Sequence, residues 1–443
     1  MRRIFSLACV AALLLALAGC GGASHTLEII GDCEGYTISA GVPLEQAIAL
    51  SRPRAEEFDL LLMGGDGLIA RIPGDDLAGC RLIYSKEYAW ELHSKNHPPS
   101  ANIKNLANIA VVSASEDLRA VRFVSGGGAQ ALTAGQLLLR DHLRVLQEEG
   151  VSHLNGRSVT VYTTHWRVPL ADILPEGDSF CAMGFSGEAM FFRGPEGCYL
   201  ESGKNVVGLL LPDGRILNDL AGVMAGPPGF LITEAYADAL HFLEQGERVM
   251  ILELDGLGWE MLQRADAPYL KALQPRQALA CYPPNSPAGL AAMLTGATPD
   301  ANGIHGRENR VPACGDLFAK TEGLGKTCAY VEGNHTLIRT SLAPMLSLSD
   351  AETFANALQA LAQNPDLLFV HFHGIDDAAH EYGPHAEQTL QKIQETDRYA
   401  QTLCEGFGGR VVITADHGLH GTEEGGNHGE FLPEDMLVPY VIK

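Results

Sequence analysis

The stretch Val249–Gly256, Val-Met-Ile-Leu-Glu-Leu-Asp-Gly, decides the fold of the C-terminal part of the chain. It is an apolar run that ends abruptly at an aspartate and a glycine. Later stretches have the same short, apolar character: Ala329–Val331, Leu367–Val370 and Val411–Thr414. Such runs are typical of a parallel sheet buried on both faces. The segments between them, 288–294, 351–362 and 386–406, have the pattern of helices. The predicted fold class is α/β, a parallel sheet flanked by helices and preceded by small β-rich modules.

Polar residues follow the ends of these strands. Asp255 ends the first, Asp376 and His380 follow the third, Asp416-His417-Gly418 ends the fourth, and His428 comes soon after. Ser286 opens a predicted helix after the first strand. Because the carboxyl ends of parallel strands meet at one edge of a sheet, we expect these groups to lie together. Each motif alone is weak evidence, and their order along the chain is the specific signal.

That order resembles the alkaline phosphatase superfamily, most closely its nucleotide pyrophosphatase/phosphodiesterase branch. The resemblance covers residues 249–443 and is carried by Asp255-Gly256, Asp376-x-x-x-His380-x-Tyr382-Gly383-Pro384 and Asp416-His417-Gly418. It implies two metal ions. One would be held by Asp255, Ser286, Asp416 and His417, and the other by Asp376, His380 and His428. The family spacing favours Asp376 over Asp377 as the ligand.

The chemistry of this set points to phosphate esters. Carboxylate and imidazole ligands together favour Zn²⁺, with manganese and iron as alternatives. Two such ions about 3.5–4 Å apart would stabilise the entering and leaving oxygens of an in-line displacement. One ion would lower the pKa of the Ser286 hydroxyl. We therefore predict a hydrolase of small phosphate esters, of the phosphodiesterase type, in which Ser286 is the nucleophile and a phospho-serine forms before water releases it.

Several alternatives stay open. Ser286 could be an ordinary N-cap serine. The phosphodiesterase branch usually has threonine at this position, whereas phosphatases and some mutases have serine, so a phosphomonoesterase or a phosphotransferase/mutase is the main rival. A surface binding lipoprotein with a vestigial catalytic domain is less compatible with an intact ligand set. Sulfatases are set aside because Ser286–Leu290 lacks their Cys/Ser-x-Pro-x-Arg motif.

Asn309 lies near the position where the branch has a phosphate-binding asparagine, and we predict that it binds substrate. Arg307 and Arg310 are rival phosphate contacts, and an ordinary loop asparagine is the other interpretation. His371 and His373 alternate at the end of a strand. We expect these two histidines to have a structural role.

The N-terminal half contains a weak repeat. Val42-Pro43-Leu44 recurs as Val168-Pro169-Leu170, and Met63-Gly64-x-x-Gly67 recurs as Met183-Gly184-x-x-Gly187. The pattern resembles a tandem of the small β module related to the molybdopterin-binding fold of sulfite oxidases, without signs of a bound cofactor. We predict β modules over residues 27–115 and 157–228, a helical connector over 116–156 with its helix at Ala129–Glu149, and the catalytic domain over 246–443.

The first residues have the character of an export signal. Two arginines precede an apolar run that is too short to span a bilayer, so residues 1–19 are predicted to be a cleaved signal peptide. Leu17-Ala18-Gly19-Cys20 resembles a bacterial lipobox, and residues 20–26 would be a lipidated tether. This predicts an exported protein held by lipid on Cys20 at the outer face of the cytoplasmic membrane or in the cell envelope.

Composition excludes one class of partner. The 443 residues carry a formal net charge of −23, so binding of nucleic acid through a broad basic face is not expected. Eight cysteines follow Cys20 in the sequence. Cys181/Cys198 and Cys314/Cys328 are possible disulfides in an exported protein, and buried free thiols are the alternative.

Mutation of Cys20 to alanine tests the lipobox. The variant is expected to leave the membrane fraction and appear in the soluble extracytoplasmic fraction, because the thiol that accepts the lipid is absent. Fractionation followed by immunoblotting measures this. A Cys20→Ala protein that stays wholly in the membrane fraction would show that the lipobox interpretation is wrong.

Overall fold

Residues 25–113, 119–126, 128–140, 143–154 and 157–443 are described by the structure, which is a computed structural model. The predicted signal peptide and lipobox lie outside these residues, so lipid anchoring stays a prediction. Among the helices of the described residues, none combines the length and the apolar character needed to cross a bilayer. The chain divides into two compact units.

The first unit comprises the chain up to residue 119 with two short additions, residues 133–139 and 202–205. Its elements are β1 (Leu27–Gly31), β2 (Tyr36–Ile38), β3 (Val42–Pro43), α1 (Leu44–Ser51), β4 (Phe58–Gly64), β5 (Ile69–Pro73), β6 (Arg81–Ser85), β7 (Ala89–His93) and β8 (Leu106–Ser113). They form a five-stranded sheet in the order β2-β1-β8-β4-β5 and a three-stranded sheet in the order β3-β6-β7. Buried side chains such as Leu60, Leu62 and Ile109 form the core of the unit.

The second unit begins with another group of strands. Its elements are β9 (Ala120–Ser125), β10 (Gly128–Thr133), β11 (Leu143–Leu154), β12 (Arg157–Pro169), β13 (Phe180–Gly184), β14 (Ala189–Phe192), β15 (Tyr199–Ser202), β16 (Val207–Leu210), β17 (Ile216–Leu217) and β18 (Leu220–Ala225). A short helix, α2 (Ala134–Leu137), follows β10 in the chain and lies within residues 133–139, which belong to the first unit. One five-stranded sheet has the order β10-β9-β18-β13-β14, and a second has the order β11-β12-β15-β16-β17. We call β9–β18 the second β module.

The sequence repeat corresponds to a shared topology. In one five-stranded sheet β1 pairs in parallel with β8, which pairs antiparallel with β4. In the other, β9 pairs in parallel with β18, which pairs antiparallel with β13. The register shifts at Met63/Gly64 in the first and at Met183/Gly184 in the second. The Met-Gly pairs of the repeat therefore mark equivalent irregularities at the end of equivalent strands.

The predicted helix over Ala129–Glu149 is wrong. Thr133 and Gln136 form a capping box that starts only the short helix α2, and Leu143–Leu154 form β11, which pairs with β12 in a long antiparallel hairpin. Two of the leucines that have helical spacing in this stretch, Leu139 and Leu143, are 48% and 52% exposed. Helical spacing of leucines therefore did not mark a buried helix face here, and the β-branched sequence of the partner strand β12 favours the hairpin.

The rest of the second unit is the α/β domain that the apolar runs predicted. Its strands are β19 (Val249–Leu254), β20 (Arg276–Leu279), β21 (Cys328–Glu332), β22 (Met345–Leu346), β23 (Leu367–Phe372), β24 (Arg410–Thr414), β25 (His420–Gly421), β26 (Gly426–Asn427) and β27 (Leu437–Ile442). Its helices are α3 (Glu234–Glu244), α4 (Trp259–Arg264), α5 (Pro268–Ala272), α6 (Ser286–Thr295), α7 (Pro299–Asn302), α8 (Leu317–Gly323), α9 (Asp350–Ala362), α10 (Gly374–Tyr382), α11 (Glu387–Gly406) and α12 (Pro433–Met436).

Seven strands form the main sheet in the order β20-β27-β24-β19-β23-β21-β22. Strand β19 pairs in parallel with both β23 and β24, and β21 pairs in parallel with β23. The central strands are buried along almost their whole length, as expected for a sheet covered on both faces. The predicted fold class is confirmed, and the carboxyl ends of β19, β21, β23 and β24 lie along one edge.

Neither of the two possible disulfides forms among the described residues. All eight cysteines of the described residues are free thiols. The thiol of Cys198 donates to the carbonyl oxygen of Gly194, and that of Cys328 donates to the carbonyl oxygen of Phe318. Hydrogen bonding to the backbone thus satisfies two of the thiols that we considered as disulfide partners, and the free-thiol alternative describes this structure.

The second β module and the α/β domain belong to the same compact unit, so the architecture changes near residues 226–246 without a separation of the two parts. An apolar cluster connects them. Its buried members are Val124, Cys181, Met183, Ala221 and Met224 from the module and Leu279, Ala280, Tyr282, Phe431 and Met436 from the α/β domain. The apolar area of this cluster contributes to the stability of both parts.

A chain that begins at Gly246 tests this packing. We expect it to aggregate or to unfold at a clearly lower temperature than the full chain. The reason is that the α/β members of the apolar cluster become exposed to solvent: Leu279, Ala280, Tyr282, Phe431 and Met436. Size-exclusion chromatography and thermal unfolding measure the effect. A monodisperse truncated protein with the unfolding temperature of the full chain would contradict it.

Candidate active site

The nucleophile position is at the start of helix α6. The cap of this helix is Asn285, whose side chain accepts a hydrogen bond from Ala288 N at 3.0 Å. Ser286 is the first helical residue and is buried. Its hydroxyl therefore has no capping duty, which removes the N-cap interpretation of this serine. Instead, Ser286 Oγ lies 3.4 Å from Asp255 Oδ1 and 3.3 Å from His417 Nε2.

Asp255, Asp416 and His417 form one group of potential metal ligands, with ligand atoms within 4.8 Å of one another. His417 Nε2 is 3.5 Å from Asp255 Oδ1 and 3.2 Å from Asp416 Oδ2. Helix α6 packs directly on this group, because a Cβ at Gly289 would lie 2.5 Å from Asp416 Cβ. A glycine is thus required for the helix that carries Ser286 to approach the carboxylate.

The second group of potential ligands comprises Asp376, His417 and His428. His380, which the motif also predicts, has its Nε2 3.5 Å from Asp376 Oδ1, and His428 Nε2 lies 3.9 Å from the same oxygen. The other ring nitrogens of the two histidines are occupied. His380 Nδ1 is 3.0 Å from Gly426 O, and His428 Nδ1 is 2.9 Å from Pro284 O. Each histidine therefore presents Nε2 to Asp376, as a metal ligand would.

The carboxylates of both groups fit a bound cation. Asp376 Oδ1 and Asp416 Oδ2 are buried and accept no hydrogen bond from the described residues. Burial, and then the charge of Asp255, raise the pKa of Asp376 to about 8 and that of Asp416 to about 6. Burial and the charge of His417 lower the pKa of His428 to about 3, so this ring is neutral. Carboxylate oxygens without a hydrogen bond, together with the neutral ring of His428, are groups that divalent ions such as zinc bind.

A third buried group involves residues that the sequence did not single out as functional. His371 Nε2 lies 3.3 Å from Asp255 Oδ2, and His373 Nδ1 lies 3.1 Å from the same oxygen. On the far side, Glu332 Oε1 is 2.8 Å from His371 Nδ1 and 2.6 Å from His373 Nε2. The two histidines connect two carboxylates, and with Asp255 they also form a group whose ligand atoms could hold a metal ion, so their structural role stays a prediction.

The electrostatics of this third group stabilise an ionised Asp255. Burial raises the pKa of Asp255, but hydrogen bonds from His371 and His373 outweigh it and hold the pKa well below its ordinary value. The same histidines lower the pKa of Glu332 against the effect of burial. Glu253, in contrast, is fully buried with a pKa raised by burial. Glu253 and Glu332 interrupt apolar strands at their carboxyl ends, which is the sequence signal for them.

Asn309 is exposed and bonded within its own loop. Its amide nitrogen donates to Gly303 O at 3.0 Å, and its amide oxygen accepts from Val311 N at 3.1 Å. Arg310, one of its rivals, donates to Thr336 O at 3.3 Å. These contacts agree with the loop interpretation, and a substrate contact of Asn309 stays a prediction.

The α/β domain matches a known protein family. The model of the type I phosphodiesterase / nucleotide pyrophosphatase family matches residues 249–326 and 335–439. GPI ethanolamine phosphate transferase 1 of Neurospora crassa is 27% identical over 143 residues, which are 28% of this chain and 14% of that protein. Its counterpart from Aspergillus fumigatus is 34% identical over 89 residues, which are 18% of this chain and 8% of that protein. The chain thus matches only a small part of these relatives.

The chain is also similar to parts of solved structures. Phosphonoacetate hydrolase from Sinorhizobium meliloti is 19% identical, with a TM-score of 0.32 over 39% of this chain and 57% of that chain. Murine ectonucleotide pyrophosphatase / phosphodiesterase 5 is 14% identical, with a TM-score of 0.34 over 40% of this chain and 59% of that chain.

The substitution Asp416→Asn should separate metal binding from stability. The ordinary pKa of this carboxyl is 3.8, and in the metal-free protein it is raised to about 6. The ionised form therefore destabilises the fold, progressively from pH 4 and fully above about pH 6. The isosteric amide keeps an oxygen for Gly256 N. We expect the metal-free variant to be more stable than metal-free wild type by about 1–3 kcal/mol at pH 8, and to bind metal more weakly.

Chemical denaturation at pH 4 and pH 8 in the presence of a chelator measures the stability difference, and zinc titration measures the affinity. The gain in stability of Asp416→Asn over wild type should vanish at pH 4, because both folded proteins then have a neutral group at position 416. A metal-free variant that is less stable than wild type at pH 8 would show that residue 416 is not a site of uncompensated charge.

Proposed function

The C-terminal half of the chain carries a domain of the type I phosphodiesterase / nucleotide pyrophosphatase family, and from this premise we propose that the protein is a metal-dependent phosphodiesterase with Ser286 as its nucleophile. One observation carries the proposal. The Ser286 hydroxyl is buried at the start of α6 and lies within 3.4 Å of both Asp255 and His417. Asn285 provides the helix cap, so no structural duty explains the position of this hydroxyl.

The proposed ligands divide into two sets that share the edge of the sheet. One metal would be bound by Asp255, Ser286, Asp416 and His417, and the other by Asp376, His380 and His428. Two divalent ions bound there, with zinc favoured by the donor atoms, would lower the pKa of the serine hydroxyl and stabilise charge on the phosphate. The chain itself supplies the orientation of the ligands, through Pro284 O on His428 and Gly426 O on His380.

The reaction follows from these positions. Ser286 Oγ attacks phosphorus, the bond from phosphorus to the leaving oxygen breaks, and the phosphoryl group is transferred to the serine. Because Ser286 is the first residue of α6, the positive end of the helix dipole would favour the negative charge of the phosphate group. A water molecule then displaces the serine oxygen from phosphorus. For a phosphodiester, the products are one alcohol, the phosphate monoester that keeps the other ester group, and the free serine.

A second candidate function, phosphotransfer, differs from hydrolysis only in the last step of the reaction. The curated relatives are named GPI ethanolamine phosphate transferases, which favours transfer of the phosphoryl group from Ser286 to an alcohol in place of water. A phosphomonoesterase or mutase would use the same serine and ligands. An assay with added alcohol acceptors distinguishes transfer from hydrolysis. It compares the amount of product formed on the alcohol with the amount of product released by water. Comparing chromogenic monoesters and diesters distinguishes the two ester classes.

Replacement of Ser286 tests the nucleophile. Ser286→Ala is expected to lower kcat/KM for a chromogenic phosphodiester by at least about 1,000-fold, because nucleophile and metal contact are lost together. Bound metal should decrease only in part, since the other six proposed ligands remain. Ser286→Thr keeps the hydroxyl and should retain measurable turnover. Trapping of phospho-serine on the wild-type protein by rapid acid quench and mass spectrometry identifies the intermediate directly.

Ser349→Ala is the matched control, because Ser349 is a serine that caps helix α9. It should cost about 0.5–2 kcal/mol of stability and leave the rate per folded molecule unchanged. If Ser286→Ala behaves in the same way, with lower stability and full activity, the nucleophile assignment is wrong.

A further inference from the structure

We propose that the second β module positions the active site, by holding the two loops that carry Ser286 and His428. These are the nucleophile loop, residues 282–286, and the histidine loop, residues 427–431. The inference rests on the proposed function, since it assigns roles to Ser286 and His428. According to this inference, Phe185, Gly222 and Arg122 of the module are positioning residues. The reaction itself would take place in the α/β domain of the same unit.

The nucleophile loop is held at its first residue. Tyr282 is 9% exposed, and its ring meets the ring of Phe185 edge-on, with 5.6 Å between centroids. Phe185 directly follows strand β13 of the module. A Cβ at the neighbouring Gly187 would lie 2.8 Å from Tyr282 O, so the module also approaches the backbone of the loop closely. Tyr282 is four residues before Ser286, and its position limits where the serine can lie.

The histidine loop is held at its other end. Phe431 is 1% exposed and packs on strand β18, where a Cβ at Gly222 would lie only 2.1 Å from Phe431 Cδ1. A ring can occupy this place only because residue 222 is glycine. Next to it, Glu430 forms an ion pair with Arg122 of strand β9. Two consecutive residues of the loop are therefore fixed by two strands of the module, and His428 is three residues away from Phe431.

The two loops are joined to each other. The rings of Tyr282 and Phe431 are in contact, with 6.2 Å between centroids, and His428 Nδ1 is 2.9 Å from Pro284 O. A shift of either aromatic ring would therefore move His428 Nε2 relative to Ser286 Oγ. Displacement of a reacting group by about 1 Å is enough to lower a rate by about 100-fold. The contacts of the module thus act on the distances that the reaction requires.

The decisive variant is Gly222→Ala in the full chain. The added methyl group must displace Phe431, and with it the histidine loop. We expect a fall in kcat/KM of about 10–100-fold and weaker binding of zinc at the His428 ligand set in titrations of the metal-free protein. The double variant Gly222→Ala/Phe431→Leu removes the ring atoms that the methyl group would meet, and it should recover most of the zinc affinity.

Gly208→Ala is the matched control. Gly208 is also a strand glycine of the second β module, but a Cβ there would be 3.7 Å from its nearest neighbour, Leu217 O. This variant should bind zinc and turn over like wild type. If Gly222→Ala does not fold, Phe185→Ala tests the same proposal from the nucleophile loop, because it removes a ring without inserting an atom.

Zinc affinity, the rate per folded molecule and the unfolding temperature together distinguish a positioning role of the module from a role in stability alone. A purely structural interface predicts a lower unfolding temperature with unchanged zinc affinity and an unchanged rate per folded molecule, and that result would overturn the proposal. Failure of the double variant to bind zinc better than Gly222→Ala would also overturn it. Absence of turnover in the wild-type protein would refute the proposed function alone, since zinc titration of the same variants still decides the positioning of His428.

Discussion

Buried carboxyl groups at one edge of the main sheet constrain the whole C-terminal structure. Asp255 and Asp416 are almost completely buried, and Glu253 and Glu332 lie beside them with no exposure. Removing a carboxylate from water costs several kcal/mol unless a partner compensates it. His371 and His373 compensate Asp255 and Glu332, whereas Asp416 and Asp376 each keep an oxygen without a hydrogen bond in the described residues. The proposed metals are the natural complement of these last two groups.

This arrangement makes stability and function oppose each other in the metal-free protein. The proposed ligands must be deprotonated to bind a cation, yet burial, and then the charge of Asp255, raise the pKa of Asp376 and of Asp416. The parallel pairing of β19 with β23 and β24 forces their carboxyl ends together and so concentrates the charge. Helix α6 adds the serine to the same place, because Gly289 lets it approach Asp416 closely. The fold therefore stores an unfavourable charge density that a bound cation would relieve.

The second β module gives this edge its outer support. It has the topology of the first five-stranded sheet, but its glycines and aromatic rings pack on the loops of the α/β domain. Gly222 accommodates Phe431, and Phe185 contacts Tyr282. The two copies of the sequence repeat therefore differ in their packing, because the side chains of the second copy contact the nucleophile loop and the histidine loop.

The sequence alone determined the features that depend on local pattern. Short apolar runs predicted the parallel sheet, since a strand buried on both faces needs apolar residues at every position. The order of Asp255, Ser286, Asp376 and Asp416 predicted which side chains meet, because strand ends meet at one edge of such a sheet. The local pattern failed for Ala129–Glu149, where leucines at helical spacing lie in strands and a short helix. It also left open whether Ser286 or another residue caps α6.

Only the tertiary structure decided the features that depend on contacts between distant segments. The cap by Asn285, the histidines between Asp255 and Glu332, and the free thiols of Cys181 and Cys328 depend on which groups come into contact. The pairing of Arg122 with Glu430 joins residues 308 positions apart, and no periodicity encodes such a contact. Packing against distant segments selects among conformations that the local sequence permits equally. The sequence therefore specified the ligands of the proposed site, and only the folded chain specified what holds them in place.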